Sequence, residues 1–347
     1  MDFPHFRANL QRTGVVSASL TLPLRLAWSV EIDDEVRSPT LADGHIYFAS
    51  LNSCAYCYSR DGKQRWQFKA GARINASLML MGNRVYFGCN DHAFYCLNAH
   101  TGELIWQRMA NAAIQGNFAA HQNLIFCGAY DGFVYAFDAA TGDLHWQVNV
   151  GSGVNCSPAV MGDTLYFGTN GGRVFALDAQ TGNVIWQRGA PGGINSTCAV
   201  SPQGLFIGTR TGQFCAFDVA LGELRWSQHF GARIFASPAL EGEHVYIASD
   251  LGTLRKLRVE DGTGVWEVPI GTGILPPGGQ VWTSPSIAGD VIYVGPALGA
   301  IMALDKHTGA TLWSHLVEGP SSSSVAIGAG LLASSTGGNR LLVFESA

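Results

Sequence analysis

Four groups of side chains in this sequence have the chemistry for a functional site. His92 follows Asp91, an imidazole beside a carboxylate as general acid–base catalysis requires, and Asp131 and Asp250 are carboxylates at related positions. Arg37, Arg73, Arg210 and Arg233 carry guanidinium groups, which can hold a carboxylate or phosphate through two parallel N–H donors. Asn75, Gln115, Asn155 and Asn195 supply carboxamides that both donate and accept, and Tyr130, Phe235 and Trp282 supply aromatic faces for stacking. Other chemistries have no signature. The 10 histidines include no HxH or HExxH arrangement for a metal, and there is no GxSxG elbow, phosphate loop or dinucleotide fingerprint.

The four carboxamides stand 40 residues apart, so these groups belong to a repeat. Its marker is tryptophan: Trp28, Trp66, Trp106, Trp146, Trp186, Trp226, Trp266 and Trp313, at intervals of 38, 40, 40, 40, 40, 40 and 47. A period near forty, built from short apolar runs and Gly-rich turns, is the signature of a propeller. Residues 153–188 show the unit most fully. Val154 to Val160 reads as one strand, Thr164 to Gly168 as a second, Arg173 to Asp178 as a third and Asn183 to Gln187 as a fourth, with turns at Gly162-Asp163, Asn170-Gly-Gly172 and Thr181-Gly182. Four antiparallel strands make one blade. In the last turn Gly182 and its equivalents Gly62, Gly102, Gly142, Gly222, Gly262 and Gly309 suit a positive φ, while Ser59 and Arg258 depart from the Asp or Asn found elsewhere at the head of that turn.

The two ends complete the count. Ser323 to Glu345 supplies three strands and then stops, whereas the strand around Trp28 resembles a fourth strand without its predecessors. The reading is therefore all-β: a single eight-bladed β-propeller over residues 1–347, with an extended lead-in at 1–23, an outer strand at 24–30 that closes the last blade, and blades over 35–345. Ring closure removes the open end that a linear array would expose.

Composition agrees and excludes some partners. Among 347 residues, 43 glycines and 14% charged residues fit many tight turns and buried strands, and a formal net charge of −5 with no basic stretch argues against general nucleic-acid binding. No run of about 18 apolar residues is present for membrane insertion by a helix. The N-terminal residues lack a basic region followed by an apolar core, so the cytoplasm is expected, or the periplasm if a leader was removed. The eight cysteines fall at small-residue positions of the repeat, such as Cys57 and Cys96 where other units have Ala136 and Ala176, and are expected to be reduced and buried.

The Ala-x-Asp-x-x-Thr-Gly-x-x-x-Trp pattern, fullest at Ala176 to Trp186, resembles the tryptophan-docking motif of the pyrroloquinoline-quinone-like eight-bladed propellers. That family includes quinoprotein alcohol dehydrogenases and the propeller lipoprotein of the outer-membrane barrel assembly machinery. Resemblance to the dehydrogenases would imply a quinone over the channel mouth, a calcium ion and a vicinal cysteine pair. This sequence has no adjacent cysteines and no long capping insertions, so no cofactor is expected. Resemblance to the lipoprotein would imply a lipidated cysteine near the N-terminus, but the first cysteine is Cys54.

In such a fold the loops entering each first strand and those between second and third strands meet at one mouth of the channel, and they carry the groups named at the outset. Arg73 and Arg233 occupy the same slot four blades apart and would face each other across the channel as an anion clamp. His92 replaces the turn glycine of other units (Gly132, Gly172, Gly212, Gly252). The unit after Trp266 is longer than the others, with the excess around Gly271 to Gly279 just before Trp282, the one tryptophan outside the repeat. Each of these polar residues also has a plainer role open to it, satisfying strand ends and channel water. The functional expectation is a binding or scaffold protein that recognises a small polar or anionic ligand or a protein segment at this mouth. The alternatives are a standalone non-quinone enzyme using His92, Asp91, Asp131 or Asp250 there and, behind it, a quinone-dependent dehydrogenase.

Overall fold

A computed structural model describes residues 6–270, 283–295, 299–319 and 323–347. Eight antiparallel blades form a ring. Numbered in chain order, blades 1 to 7 have innermost strands Thr40–Ala42, Met79–Met81, Ala119–His121, Ala159–Met161, Ala199–Ser201, Ala239–Glu241 and Ser286–Ala288. Blade 4 is representative, running from Ala159–Met161 through Thr164–Gly168 and Arg173–Asp178 to an outermost Val184–Gly189. Blade 8 combines Ala326–Gly328, Leu331–Ser335 and Arg340–Ser346 with Leu24–Glu31 from the other end of the chain, as the sequence implies.

The periodic tryptophan fastens each blade to the next. The Trp66 indole N–H donates to the carbonyl of Ala99, Trp106 to Ala139, Trp146 to Ala179, Trp186 to Val219 and Trp226 to Val259. Trp28 donates likewise to Arg60, so the closing strand docks blade 8 on blade 1. The rings lie against the turn glycines of the following blade. A Cβ on Gly182 would stand 2.8 Å from the Trp146 ring, and its φ of +73° is one that only glycine adopts without strain.

One seam is different. Trp266 Nε1 is buried without a hydrogen-bond partner among the described residues. The carbonyl it would reach by the same register, that of Lys306, instead accepts a bond from Lys256 Nζ at 3.2 Å. Lys256 is buried at a position that is Ala136, Ala176 and Ala216 in three other blades. Burial, and after it the nearby Lys306 charge, lowers its pKa.

Inside the ring, a belt of hydrogen bonds joins the residues that lead into the innermost strands. The backbone N–H of Ser77 donates to Asn117, and the pattern repeats through Ser157, Thr197, Ser237, Ser284 and Ser324 to Ser38 at 2.5–3.2 Å, each side-chain oxygen accepting from the blade before it. The lead-in does more than lie against the domain. It enters the channel, where the carbonyls of Leu10, Gln11, Thr13 and Gly14 accept from Val160, Val200, Leu240 and Ile287 on the inner strands of blades 4 to 7. Val15–Val16 then pairs in parallel with Ser286–Ala288.

Two arginines anchor this plug. Arg7 bonds the carbonyls of Pro285 and Pro238 at 2.5 and 2.6 Å, and Arg12 bonds those of Pro158, at 3.0 Å, and Phe118. Both are 1% exposed or less, and neither forms an ion pair with a described residue. Burial pulls their pKa values down to about 9 and about 10, for Arg7 with a further contribution from the Arg12 charge, so both remain cationic at neutral pH.

Two outcomes are expected. Arg12→Ala leaves carbonyls on two blades without their charged donor and is expected to cost about 3 kcal/mol in denaturant unfolding. A loss below about 0.5 kcal/mol would show that the plug does not support the ring. Lys256→Ala frees the Lys306 carbonyl for Trp266 and is expected to raise stability by about 1 kcal/mol. Because the folded-state pKa of Lys256 lies below its usual 10.5, the unfolded chain binds more protons in that interval. Wild-type stability therefore gains as pH rises through the folded pKa, and the variant should lack that gain.

Candidate functional site

Two sets of loops interdigitate at the mouth opposite the plug, and their side chains form one continuous chain of contacts. Asn75 Nδ2 donates to Asn90 Oδ1 at 3.1 Å, and Gln115 Nε2 donates to the same oxygen at 3.3 Å. Gln115 Oε1 accepts from the Tyr130 hydroxyl at 3.1 Å, which in turn accepts from Asn155 Nδ2 at 2.5 Å. Three of the four carboxamides set 40 residues apart, Asn75, Gln115 and Asn155, are thus linked through Asn90 and Tyr130 from the other loop set, over blades 2 to 4.

Beyond Asn155 the belt changes character. Asn170, Gly193, Asn195, Arg210, Thr211, Arg233 and Phe235 line an open recess of about 490 Å³. Arg210 and Arg233 are exposed, and Arg233 Nε pairs with Asp250 Oδ2 at 3.0 Å while its guanidinium lies 5.4 Å over the Phe235 ring. The Oδ1 atoms of Asn155, Asn170 and Asn195 are buried with no hydrogen-bond partner among the described residues. The arginine that shares a recess with Arg233 is therefore Arg210 in the neighbouring loop. Arg73, its sequence-equivalent four blades away, is exposed and does not line the recess. Arg37 is committed locally, to the Asn75 carbonyl at 3.0 Å and to Glu35 at 2.9 Å.

The acid–base candidates are dispersed over blades 2, 3 and 6. Asp91 accepts from the Gly71 and Ala93 amides and from the Tyr95 hydroxyl at 2.6 Å, and Asp131 repeats the pattern with Asn111, Phe133 and Tyr135. Burial, and then these aspartates, raise the pKa values of Tyr95 and Tyr135, so the tyrosines stay protonated donors. His92 takes the turn-glycine position at φ +71° with its side chain exposed. Trp282 and the extra residues around Gly271 to Gly279 lie outside the described residues.

All eight cysteines are free and buried. Desolvation pushes the thiols of Cys57, Cys89, Cys96, Cys156 and Cys215 up to about 12, well away from nucleophilic use at neutral pH. Among the described residues no three His, Cys, Asp or Glu side chains gather as a metal would require.

Arg7 and Arg12 escaped the sequence reading. Their partners are carbonyls on blades 3, 4, 6 and 7, which no local pattern can announce.

Comparison with known proteins places the fold. The structure of BamB from Moraxella catarrhalis is 19% identical, covering 93% of this chain and all 100% of that one with a TM-score of 0.76. The computationally designed Ika8 protein is 16% identical over 91% of this chain and 97% of its own, with a TM-score of 0.79. A quinohemoprotein alcohol dehydrogenase from Comamonas testosteroni is 14% identical over 99% of this chain and 80% of its own, with a TM-score of 0.83. No curated protein matches the chain. At such identities the likeness concerns fold alone. A family model described as outer membrane protein assembly factor BamB, however, matches residues 53–203 and 190–344. With both halves of its ring matched in sequence, the chain belongs to this BamB-like family of PQQ-like repeat propellers.

Proposed function

We propose that this protein is a binding or scaffold protein whose working surface is the mouth opposite the plug. The observation that carries the reading is the continuous polar belt from Asn75 to Asn155 running into the recess at Arg210 and Arg233. A rigid ring presenting paired amides, hydroxyls and guanidiniums suits recognition. The nearest carboxylates support it in a different way. Asp91 and Asp131 each accept from two backbone amides and a tyrosine hydroxyl, and Asp250 holds Arg233, so each shapes the loops that carry the belt.

A quinone cofactor is not part of this proposal: the chain has no adjacent cysteines to lie beneath one, and Asp91, Asp131 and Asp250 stand on separate blades. The family model named for an assembly factor accords with a scaffold role, and the partner is a polypeptide or a polar ligand at the mouth.

Hydrogen exchange tests the surface. Added ligand is expected to protect amides of the mouth loops, at Asn90, Tyr130, Asn170 and Arg210, and to leave the turns at Gly162 and Gly182 unchanged. A substitution pair, Asn155→Ala with Tyr130→Phe, opens the belt and is expected to weaken binding by about tenfold, or ~1.4 kcal/mol, with little change in stability. Protection confined to the blade rim, or binding untouched by the pair, would place the working surface elsewhere. Steady substrate turnover abolished by His92→Ala would instead establish the enzyme reading.

A further inference from the structure

The mouth is electrostatically lopsided, and this points to the kind of ligand it takes. On blades 2 to 4 the belt is neutral and internally bonded, built from carboxamides and a tyrosine. On the sector reached through Asn170 and Asn195, Arg210 and Arg233 share one recess, and the carboxylate paired there, Asp250, is engaged by Arg233. Two guanidinium groups against one carboxylate leave that sector positive within a chain of formal net charge −5.

The channel floor adds to this. The Arg7 and Arg12 guanidiniums sit on the carbonyls of Phe118, Pro158, Pro238 and Pro285, at the entry to the innermost strands and just below the belt. They are fully buried cations without an acidic partner among the described residues. In a water-poor interior their field is weakly screened and adds to that of Arg210 and Arg233. Two further features define the shape of the ligand. Phe235 holds the Arg233 guanidinium over an aromatic face, which suits a flat carboxylate opposite it and an apolar group beside it. The Oδ1 atoms of Asn155, Asn170 and Asn195 have no hydrogen-bond partner among the described residues, and a rotation of the amide at Asn170 and Asn195 would present them to the N–H donors of a ligand.

We propose that the mouth binds an extended acidic polypeptide segment, with a carboxylate held between Arg210 and Arg233 and the peptide backbone running along the carboxamides towards Asn155. This rests on the mouth being the working surface. A polypeptide is favoured over a small acid because polar side chains continue from the recess at Asn170 and Asn195 to the belt over blades 2 to 4, further than a small acid reaches. The backbone N–H groups of the segment satisfy the orphan asparagine oxygens, and its acidic group completes the charge balance.

The experiment uses the full chain and three probes: a fluorescent peptide of about a dozen residues alternating Glu with Gly and Ser, the same peptide with Gln for Glu, and succinate as a small dicarboxylate. Binding is followed by anisotropy and by hydrogen exchange of the mouth loops. The expected result is at least tenfold tighter binding of the Glu peptide than of the Gln peptide, weakened as salt rises and the screening length shortens from about 30 Å to about 8 Å. Arg210→Ala and Arg233→Ala should each lower its affinity by about tenfold, ~1.4 kcal/mol, while Arg25→Ala on the outer rim should not. Thermal unfolding of each variant excludes loss of fold as the cause.

Equal binding of the two peptides, or Glu-peptide binding that survives Arg210→Ala, overturns carboxylate recognition and leaves the mouth as the working surface. Protection of the mouth by succinate but not by either peptide overturns the polypeptide and leaves a small-ligand site. If none of the three probes alters the mouth amides, the acidic-segment proposal fails, and binding mapped to another surface would then remove the mouth reading as well.

Discussion

A closed ring of sheets removes its outer free ends but creates an inner problem: the first strand of each blade turns a bare edge toward the axis. Backbone N–H and C=O groups on such an edge need partners. In this protein two devices meet that need. The Ser, Thr and Asn residues ahead of the inner strands lace neighbouring blades together, and the N-terminal segment enters the channel to pair with blades 4 to 7. Arg7 and Arg12 extend the reach of that segment to carbonyls that its own backbone does not touch. An arginine suits this task because its planar donors satisfy two carbonyls at once while the charge stays on a delocalised, weakly hydrated group.

The outer half of each blade is governed by a second contact, between an indole and the turn of the next blade. Glycine is required at that turn both for its left-handed backbone and because the ring lies where a Cβ would be. The Lys256 seam shows how dependent the arrangement is on the small residue beneath the indole. With a lysine amine there, the acceptor carbonyl is taken and Trp266 keeps its packing but not its hydrogen bond. The ring remains closed because each seam also shares buried side chains between adjacent blades, as around Tyr246 and Leu304.

These two constraints leave the mouth opposite the plug as the place where sequence is free to vary. On blades 2 and 3 its loops are short, and their backbones are pinned by the Asp91–Tyr95 and Asp131–Tyr135 bonds. Side chains there change from carboxamide to cation around the circumference while the scaffold beneath them stays the same. That is the physical basis for separating fold from function in this family: the repeat supplies position, and the non-repeating side chains supply chemistry.

The sequence by itself determined the architecture. A tryptophan every forty residues, turn glycines in step with it and a fourth strand misplaced to the N-terminus were enough to count eight blades and close the ring, since these signals are local and repeated. The same ruler assembled the candidate residues at one mouth, but it could not say which of them touch. Arg73 and Arg233 share a slot in the repeat, yet Arg233 and Arg210 share the recess, because adjacency at the mouth alternates between two loop sets rather than following one. That the oxygens of Asp91 and Asp131 are bonded to amides and tyrosines is likewise a tertiary fact, since Gly71 and Asn111 reach them from the loops that follow the outer strands of the preceding blades. The lead-in carried no periodicity at all, and only the closed ring decided its place, since the carbonyls that Arg7 and Arg12 satisfy come together from four blades when the channel forms.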